Sequence, residues 1–326
     1  MLNTQKNIKL SEYSTFKIGG EAREFIEVKN EEETLEALDY VEKNKLRYFI
    51  LGGGSNVLFD DKGFDGVVIR LAGKGDGMEI ITEENDDSGV IRVRCWGGEL
   101  LPSLVNFAKN NNISGMEWAV GIPGTVGGAV SGNAGAFDES IGDFVESVKI
   151  FKILNFPLPF SKKVSNYNHK KCNFSYRNSI FKNKGGLAIL SVKLNLQRGK
   201  AEAIDLKMKE CAQKRGEKQP KGWNGSAGSF FKNPIVNDSE IFGKFEREKK
   251  MFWKNERIPA GWLIEEAGFK GKKFGNISVS DVNANFLINN GGGTMEEVLI
   301  VSGIIKQKVR EKFGVELQEE VKVVYY

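Results

Sequence analysis

Gly115-Met116-Glu117-Trp118-Ala119-Val120-Gly121-Ile122-Pro123-Gly124-Thr125-Val126-Gly127-Gly128-Ala129-Val130-Ser131-Gly132-Asn133-Ala134-Gly135 is the stretch on which the reading of this chain turns. In an isolated helix its glycines would each cost about 1 kcal/mol relative to alanine. Trp118, Val120, Ile122 and Val126 are core-forming residues, which excludes a flexible linker. Backbone with both properties packs flush against a flat or anionic surface, because a side chain would hold that surface away.

A second cluster, Leu51-Gly52-Gly53-Gly54-Ser55-Asn56-Val57, follows the apolar run Tyr48-Phe49-Ile50-Leu51, which reads as a buried strand. Successive N–H groups in such a loop can turn inward as an anion nest suited to a diphosphate. It lacks the Gly-Lys-Ser/Thr ending of a phosphate-transfer loop and the spacing of the dinucleotide fingerprint, and no helix signature follows.

Outward from these loops, residues 30–44 predict an amphipathic helix capped by Asn30, with Leu35, Leu38 and Val41 at helical spacing. Residues 66–71, 90–96, 148–153 and 187–196 predict strands, and 100–110 a helix between two of them. Residues 156–171, with prolines and lysines, read as an exposed loop. Residues 201–215 form a connecting helix broken at Gln219-Pro220-Lys221-Gly222. Near the end, Thr294 and Glu297 make a capping box, with Val298, Val301, Ile305 and Val309 on one face. Gly314 stops that helix, and 315–324 is expected as a final strand.

The 326 residues suit two domains, and 40% hydrophobic with 28% charged residues is ordinary for a folded chain. The net charge of +4 fits an anionic ligand. Lys244, Arg247, Lys249 and Lys250 alternate with Glu246, Glu248 and Glu256, so they form a solvated surface and no nucleic-acid face is expected. Cys95, Cys172 and Cys211 follow no metal-ligand spacing, and no apolar run suits a membrane span. With no signal peptide at the start, they read as reduced thiols in a cytoplasmic protein. The single histidine, His169, sits in a polar, lysine-flanked stretch and reads as a surface residue, so no metal site is expected. Acid–base chemistry falls to Ser, Glu, Lys, Arg or Tyr.

Taken together, the two glycine segments resemble the FAD-binding domain of the vanillyl-alcohol-oxidase type. From Ser14-Thr15-Phe16-Lys17-Ile18-Gly19-Gly20 to the last strand the chain resembles the UDP-N-acetylenolpyruvoylglucosamine reductase (UDP-N-acetylmuramate dehydrogenase) family. The resemblance implies an α+β architecture. A two-lobed FAD-binding domain over 14–196, its lobes meeting near residue 72, precedes a smaller α+β substrate domain over 201–326. It implies FAD held by Gly52, Gly53, Gly54, Ser55, Asn56 and Val57, and by Gly121, Ile122, Pro123, Gly124, Thr125, Gly127, Gly128, Asn133, Ala134 and Gly135. Neither loop carries a His or Cys, so the flavin is expected to be noncovalent. NADPH is the implied co-substrate and UDP-N-acetylglucosamine enolpyruvate the nucleotide-sugar substrate, in peptidoglycan precursor synthesis by a monomer. A sugar or alcohol oxidase on the same scaffold, or a flavin-binding protein without catalysis, are the competing expectations.

Reducing an enolpyruvyl double bond needs a hydride at one carbon, a proton at its neighbour, and a grip on the attached carboxylate. Gly225-Ser226-Ala227-Gly228-Ser229-Phe230-Phe231-Lys232-Asn233-Pro234 places small residues around Ser229, and the family's Gly-Ser-Phe-Phe-Lys-Asn-Pro motif makes Ser229 the implied proton donor. Asn233 is the implied nucleotide contact. Tyr176-Arg177-Asn178-Ser179-Ile180-Phe181 matches Tyr-Arg-x-Ser-x-Phe, which implies that Arg177 grips the carboxylate, with Tyr176 beside it. In Leu317-Gln318-Glu319-Glu320-Val321, the flanking Leu and Val put Glu320 at the family's glutamate, with Glu319 one register away. Val279-Ser280-Asp281-Val282-Asn283-Ala284-Asn285-Phe286 lacks the lysine and histidine common in relatives, which leaves Asn283 as the substrate contact there. Lys221 is a candidate for the substrate diphosphate.

Overall fold

Asn30 accepts the Glu33 N–H and opens helix α1 (Glu31–Lys43), whose first turn carries Glu31, Glu32 and Glu33 against the positive end of the helix dipole. Thr34, Ala37, Leu38 and Val41 form its buried stripe. The chain then enters the strand Tyr48–Leu51, which pairs in parallel with Phe64–Leu71, Tyr48 opposite Val67. These belong to a four-stranded sheet in the order Thr4–Lys9, Glu21–Val28, Phe64–Leu71, Tyr48–Leu51. The computed structural model describes residues 2–73, 77–81, 89–153, 164–183, 186–220, 225–250 and 256–326.

A second, antiparallel sheet runs Val164–Asn168, Val145–Lys152, Leu187–Arg198, Val90–Trp96, Met78–Ile80, with Ile113–Ser114 also pairing onto Leu187–Arg198. A bulge sits where Lys149 faces Ser191 but Ile150 faces Ile189. The extra residue reverses the inward parity of the strand. On one side of it Ala188 and Leu190 join Ile26, Leu38, Val67 and Ile69 in one core. Beyond it Val192, Leu194 and Leu196 join the core of helices α2 (Leu101–Asn110) and α3 (Val126–Gly132), with Trp118 fully buried at its centre. One strand therefore serves two cores, which is the two-lobed organisation.

Two units result. The first comprises the chain up to Ile8, Ala22–Gly54 and Asp65–Glu217; the second comprises Lys9–Glu21, Ser55–Phe64 and Lys218–Tyr326. This amends the contiguous division into 14–196 and 201–326: helix α4 (Ala201–Lys218) falls with the first unit as far as Glu217, and two early segments fall with the second. The cause is a long-range pairing, Val57–Phe59 in parallel with Lys322–Val324.

The second unit holds helices α5 (Ser239–Lys249), α6 (Ala260–Glu266) and α7 (Met295–Phe313), with a three-stranded sheet Lys273–Phe274, Ile277–Val279, Leu287–Asn289. The Thr294–Glu297 capping box is formed reciprocally, Gly314 ends α7 at φ 65°, and Val298, Val301, Ile305 and Val309 are buried. The expected strand over 315–324 shrinks to Lys322–Val324, because Gln318–Glu320 make only scattered bonds to residues 230–232. The expected loop over 156–171 is also corrected in part: Val164–Asn168 is a polar edge strand and His169–Cys172 a short helix, while 154–163 lies outside the described residues. His169 is exposed, and all three cysteines are free and buried.

Candidate functional site

In the first unit the two glycine loops lie against each other. A Cβ on Gly52 would stand 2.4 Å from Thr125 Oγ1, and one on Gly53 would stand 2.6 Å from Gly124 Cα. The second loop is braced in turn on residues 97–101: Val126 N–H donates to Glu99 O at 2.8 Å, Gly127 N–H to Gly97 O at 2.8 Å, and Leu101 N–H to Gly124 O at 2.9 Å. Gly52, Gly53 and Gly127 are thus required by contacts within the protein. Gly128 is different. It is exposed, only Thr125 Oγ1 lies near its Cβ position, at 3.3 Å, and that same oxygen accepts the Gly128 N–H. Bare backbone at Gly128, with open space also at Gly132, is a cradle that a Cβ would fill, so this loop fits a cofactor phosphate or ring. Ser55, Asn56 and Val57 belong to the second unit, where Asn56 Nδ2 donates to Glu320 O at 3.3 Å and Asn56 O accepts the Lys322 N–H at 3.1 Å.

The exit of α3 carries the arginine turn. Asn133, at φ 45°, caps the helix, and its amide is spent on the protein: Nδ2 donates to Ser175 O at 2.9 Å and Oδ1 accepts the Gly142 N–H at 3.0 Å. Any cofactor contact from Asn133 therefore falls to its backbone. Ser175 and Asn178 exchange N–H···O bonds of 3.1 and 3.0 Å, closing a two-residue turn with Tyr176 and Arg177 at its tip. Arg177 adopts φ 53°, stacks its guanidinium 5.2 Å from the Tyr176 ring, and donates from Nη2 to Gly135 O at 2.6 Å.

Arg215, on the last turn of α4, is a residue that the sequence did not single out. Its Nη2 donates to Trp118 O at 3.3 Å, its guanidinium lies 5.6 Å from the Phe137 ring, and its Cδ is 3.2 Å from the Cβ position of Gly121. Its Nε is buried with no acceptor among the described residues. Burial holds its pKa below the usual arginine value, and the positive charge of Arg177 adds to the effect. A buried donor beside a second guanidinium calls for an anionic or carbonyl oxygen. No local pattern marks this, since a lone arginine near a helix end is ordinary.

In the second unit the Ser229 segment threads between two neighbours. Phe230 N–H donates to Asn285 O at 2.7 Å, and Glu320 N–H donates to Phe230 O at 2.8 Å, one residue beyond Ser229. Asn285 fastens Phe231 through both amide atoms, at 2.9 and 2.8 Å. Glu319 forms an ion pair with Lys306 of α7 at 2.8 Å, while Glu320 follows it on the segment whose backbone bonds to Phe230. Asn233 Oδ1 accepts the Ala260 N–H at the start of α6, and Asn283 Oδ1 accepts the Asn285 N–H while its Nδ2 donates to Lys218 O. Both asparagines therefore shape the loops they stand on. Lys221 lies outside the described residues. Among the described residues no cluster of metal-ligating side chains occurs, and no helix is long and apolar enough to cross a membrane.

Comparison with known proteins matches residues 22–155 to the FAD binding domain and 219–324 to the C-terminal domain of UDP-N-acetylenolpyruvoylglucosamine reductase. The UDP-N-acetylenolpyruvoylglucosamine reductase of Solibacter usitatus is 34% identical over 321 residues, covering 97% of this chain and 95% of that protein. That of Flavobacterium johnsoniae is 36% identical, covering 99% and 100%. The crystal structure of the Thermus caldophilus reductase superimposes with a TM-score of 0.71 at 30% identity, covering 99% of both chains.

Proposed function

The chain belongs to the UDP-N-acetylenolpyruvoylglucosamine reductase family, and from that premise we propose how its residues divide the reaction. The activity is the FAD-dependent reduction of the enolpyruvyl group of UDP-N-acetylglucosamine enolpyruvate to UDP-N-acetylmuramate, a step of peptidoglycan precursor synthesis. FAD, when bound, supplies the hydride carrier between NADPH and the double bond. Gly52, Gly53 and Gly124 bring the two loops together, the open face at Gly128 receives FAD noncovalently, and Arg215 gives its buried Nε–H to an oxygen of the bound ligands.

Arg177 receives the substrate carboxylate through paired N–H···O bonds and stabilises the negative charge that develops there as hydride arrives at the methylene carbon. Ser229 Oγ then gives its proton to the neighbouring carbon, the one bearing the carboxylate. Glu320, whose N–H is bonded to Phe230 O beside Ser229, orients that proton transfer. Asn233 and Asn283 hold the loops that receive the nucleotide. The three free thiols fit a reducing compartment, so we place the reaction in the cytoplasm. The observation that supports this division most is the fixing of Arg177 on the exit of the glycine-rich helix, which ties the carboxylate grip to the cofactor loop.

The test separates the half-reactions. In FAD-loaded Ser229→Ala, flavin reduction by NADPH should keep its rate, while reoxidation by the enolpyruvyl nucleotide sugar falls by roughly 10²–10⁴-fold, the usual worth of a general acid. Reoxidation at the unmutated rate would remove Ser229 as proton donor. Reduced flavin that is oxidised by O₂ but not by the nucleotide sugar in the unmutated protein would favour an oxidase.

A further inference from the structure

Arg177 occupies the left-handed region at φ 53°, where a residue with a long side chain is uncommon and persists only when its surroundings over-determine it. Three ties between its turn and the exit of α3 do so. Asn133 Nδ2 donates to Ser175 O at 2.9 Å, Arg177 Nη2 donates to Gly135 O at 2.6 Å, and Ser179 Oγ donates to Ser131 O at 2.7 Å. Ser179 is fully buried and also accepts the Phe181 N–H at 3.2 Å, so its hydroxyl fixes both the helix end and the start of the next turn. Asn133 is 6% exposed, and its other amide atom is anchored by Gly142.

We propose that Ser179 and Asn133 are positioning residues for the substrate half-reaction: they clamp the turn that presents Arg177 to the end of the glycine-rich helix, so that the guanidinium keeps a fixed place relative to the cofactor loop. Their bonds flank Arg177: Asn133 holds Ser175 two residues before it, and Ser179, two residues after it, is held on Ser131 O. Neither needs to touch a ligand. A guanidinium on a freed turn would still bind a carboxylate, but would no longer hold it in register with the reacting carbon, and a displacement of about 1 Å is worth up to roughly 10²-fold in rate.

The inference rests on reading Arg177 as the partner of the substrate carboxylate, and a double-mutant cycle keeps the two apart. FAD-loaded protein is reduced anaerobically with NADPH, then mixed with the enolpyruvyl nucleotide sugar while flavin absorbance is followed. Ser179→Ala should slow reoxidation by about 10- to 100-fold and raise the substrate KM, while NADPH reduction stays within about twofold. Asn133→Gly, which keeps the left-handed backbone and removes both side-chain bonds, should act in the same direction and serves if Ser179→Ala does not fold. In an Arg177→Ala background neither substitution should slow reoxidation further, since each acts only through Arg177. Equal slowing with and without Arg177, or parallel loss of both half-reactions, would show an ordinary structural role and overturn the proposal. A crippled Arg177→Ala beside an unimpaired Ser179→Ala and Asn133→Gly overturns the clamp alone; an unimpaired Arg177→Ala overturns the carboxylate reading and the clamp with it.

Discussion

The glycines of the two loops divide by what crowds them, and this gives a prediction in which one methyl group reports on two different partners. At Gly53 a Cβ would stand 2.6 Å from Gly124 Cα and 3.2 Å from its carbonyl carbon, so both neighbours are backbone and neither can rotate away. The loops must part, and overpacking of that kind costs about 1–3 kcal/mol. At Gly128 the same methyl meets only Thr125 Oγ1 at 3.3 Å, and it adds helix propensity to the first turn of α3, worth up to about 1 kcal/mol. FAD-stripped Gly53→Ala should therefore melt lower by about 2–12 °C, at roughly 2–4 °C per kcal/mol. FAD-stripped Gly128→Ala should melt at or slightly above the unmutated protein. The order reverses when FAD is titrated by fluorescence quenching. If Gly128 is the open face of the cradle, its alanine intrudes on the ligand, and about 1–3 kcal/mol of lost affinity weakens Kd by roughly 5- to 150-fold. An unchanged melting point for Gly53→Ala would mean the loops are not in contact. Unchanged FAD affinity in Gly128→Ala would mean that the cofactor lies elsewhere on the loop.

Glu320→Gln should lower kcat and kcat/KM of the substrate half-reaction together, whereas Glu319→Gln, which loses a half-exposed ion pair to Lys306, should leave the rate nearly unchanged and cost under about 1 kcal/mol of stability; the reverse ranking would refute the register. Thr294→Ala should lower thermal stability by about 1 kcal/mol through loss of the α7 cap without touching either half-reaction, and a kinetic effect would contradict a purely local role. Burial pushes the Cys172 thiol up to about 11 and also raises Cys95 and Cys211, so at pH 8 Ellman's reagent should label native protein far more slowly than denatured protein. Rapid labelling of any of the three in the native protein would contradict their burial.

What the sequence made legible is what is decided within a few residues. Asn30 before a 3.6-residue stripe, and Thr294 with Glu297 before another, are self-contained signals, because the capping bonds close inside one turn. The apolar strands at 48–51, 90–96 and 187–196 were visible for the same reason. The edge strand Val164–Asn168 was not, since Val-Ser-Asn-Tyr-Asn carries a single apolar residue on each face, Val164 and Tyr167, and becomes a strand only because Val145–Lys152 offers it an edge. Nor could a local pattern reveal that residues 55–64 leave the domain in which their glycines begin, because the pairing of Val57 with Lys322 is decided at the opposite end of the chain.

The candidate site shows the same limit at finer grain. A glycine cluster declares that backbone must come close to something, but the letters do not say to what. Here the contact of Gly53 with Gly124 and that of Gly127 with Gly97 O are between parts of the chain, and only positions such as Gly128 leave room for a ligand. The loops are glycine-rich for two reasons at once: they must approach each other before the open face exists. That is why two clusters far apart in sequence belong to one feature, and why Arg177, fastened to the end of the second, inherits its place from the same packing.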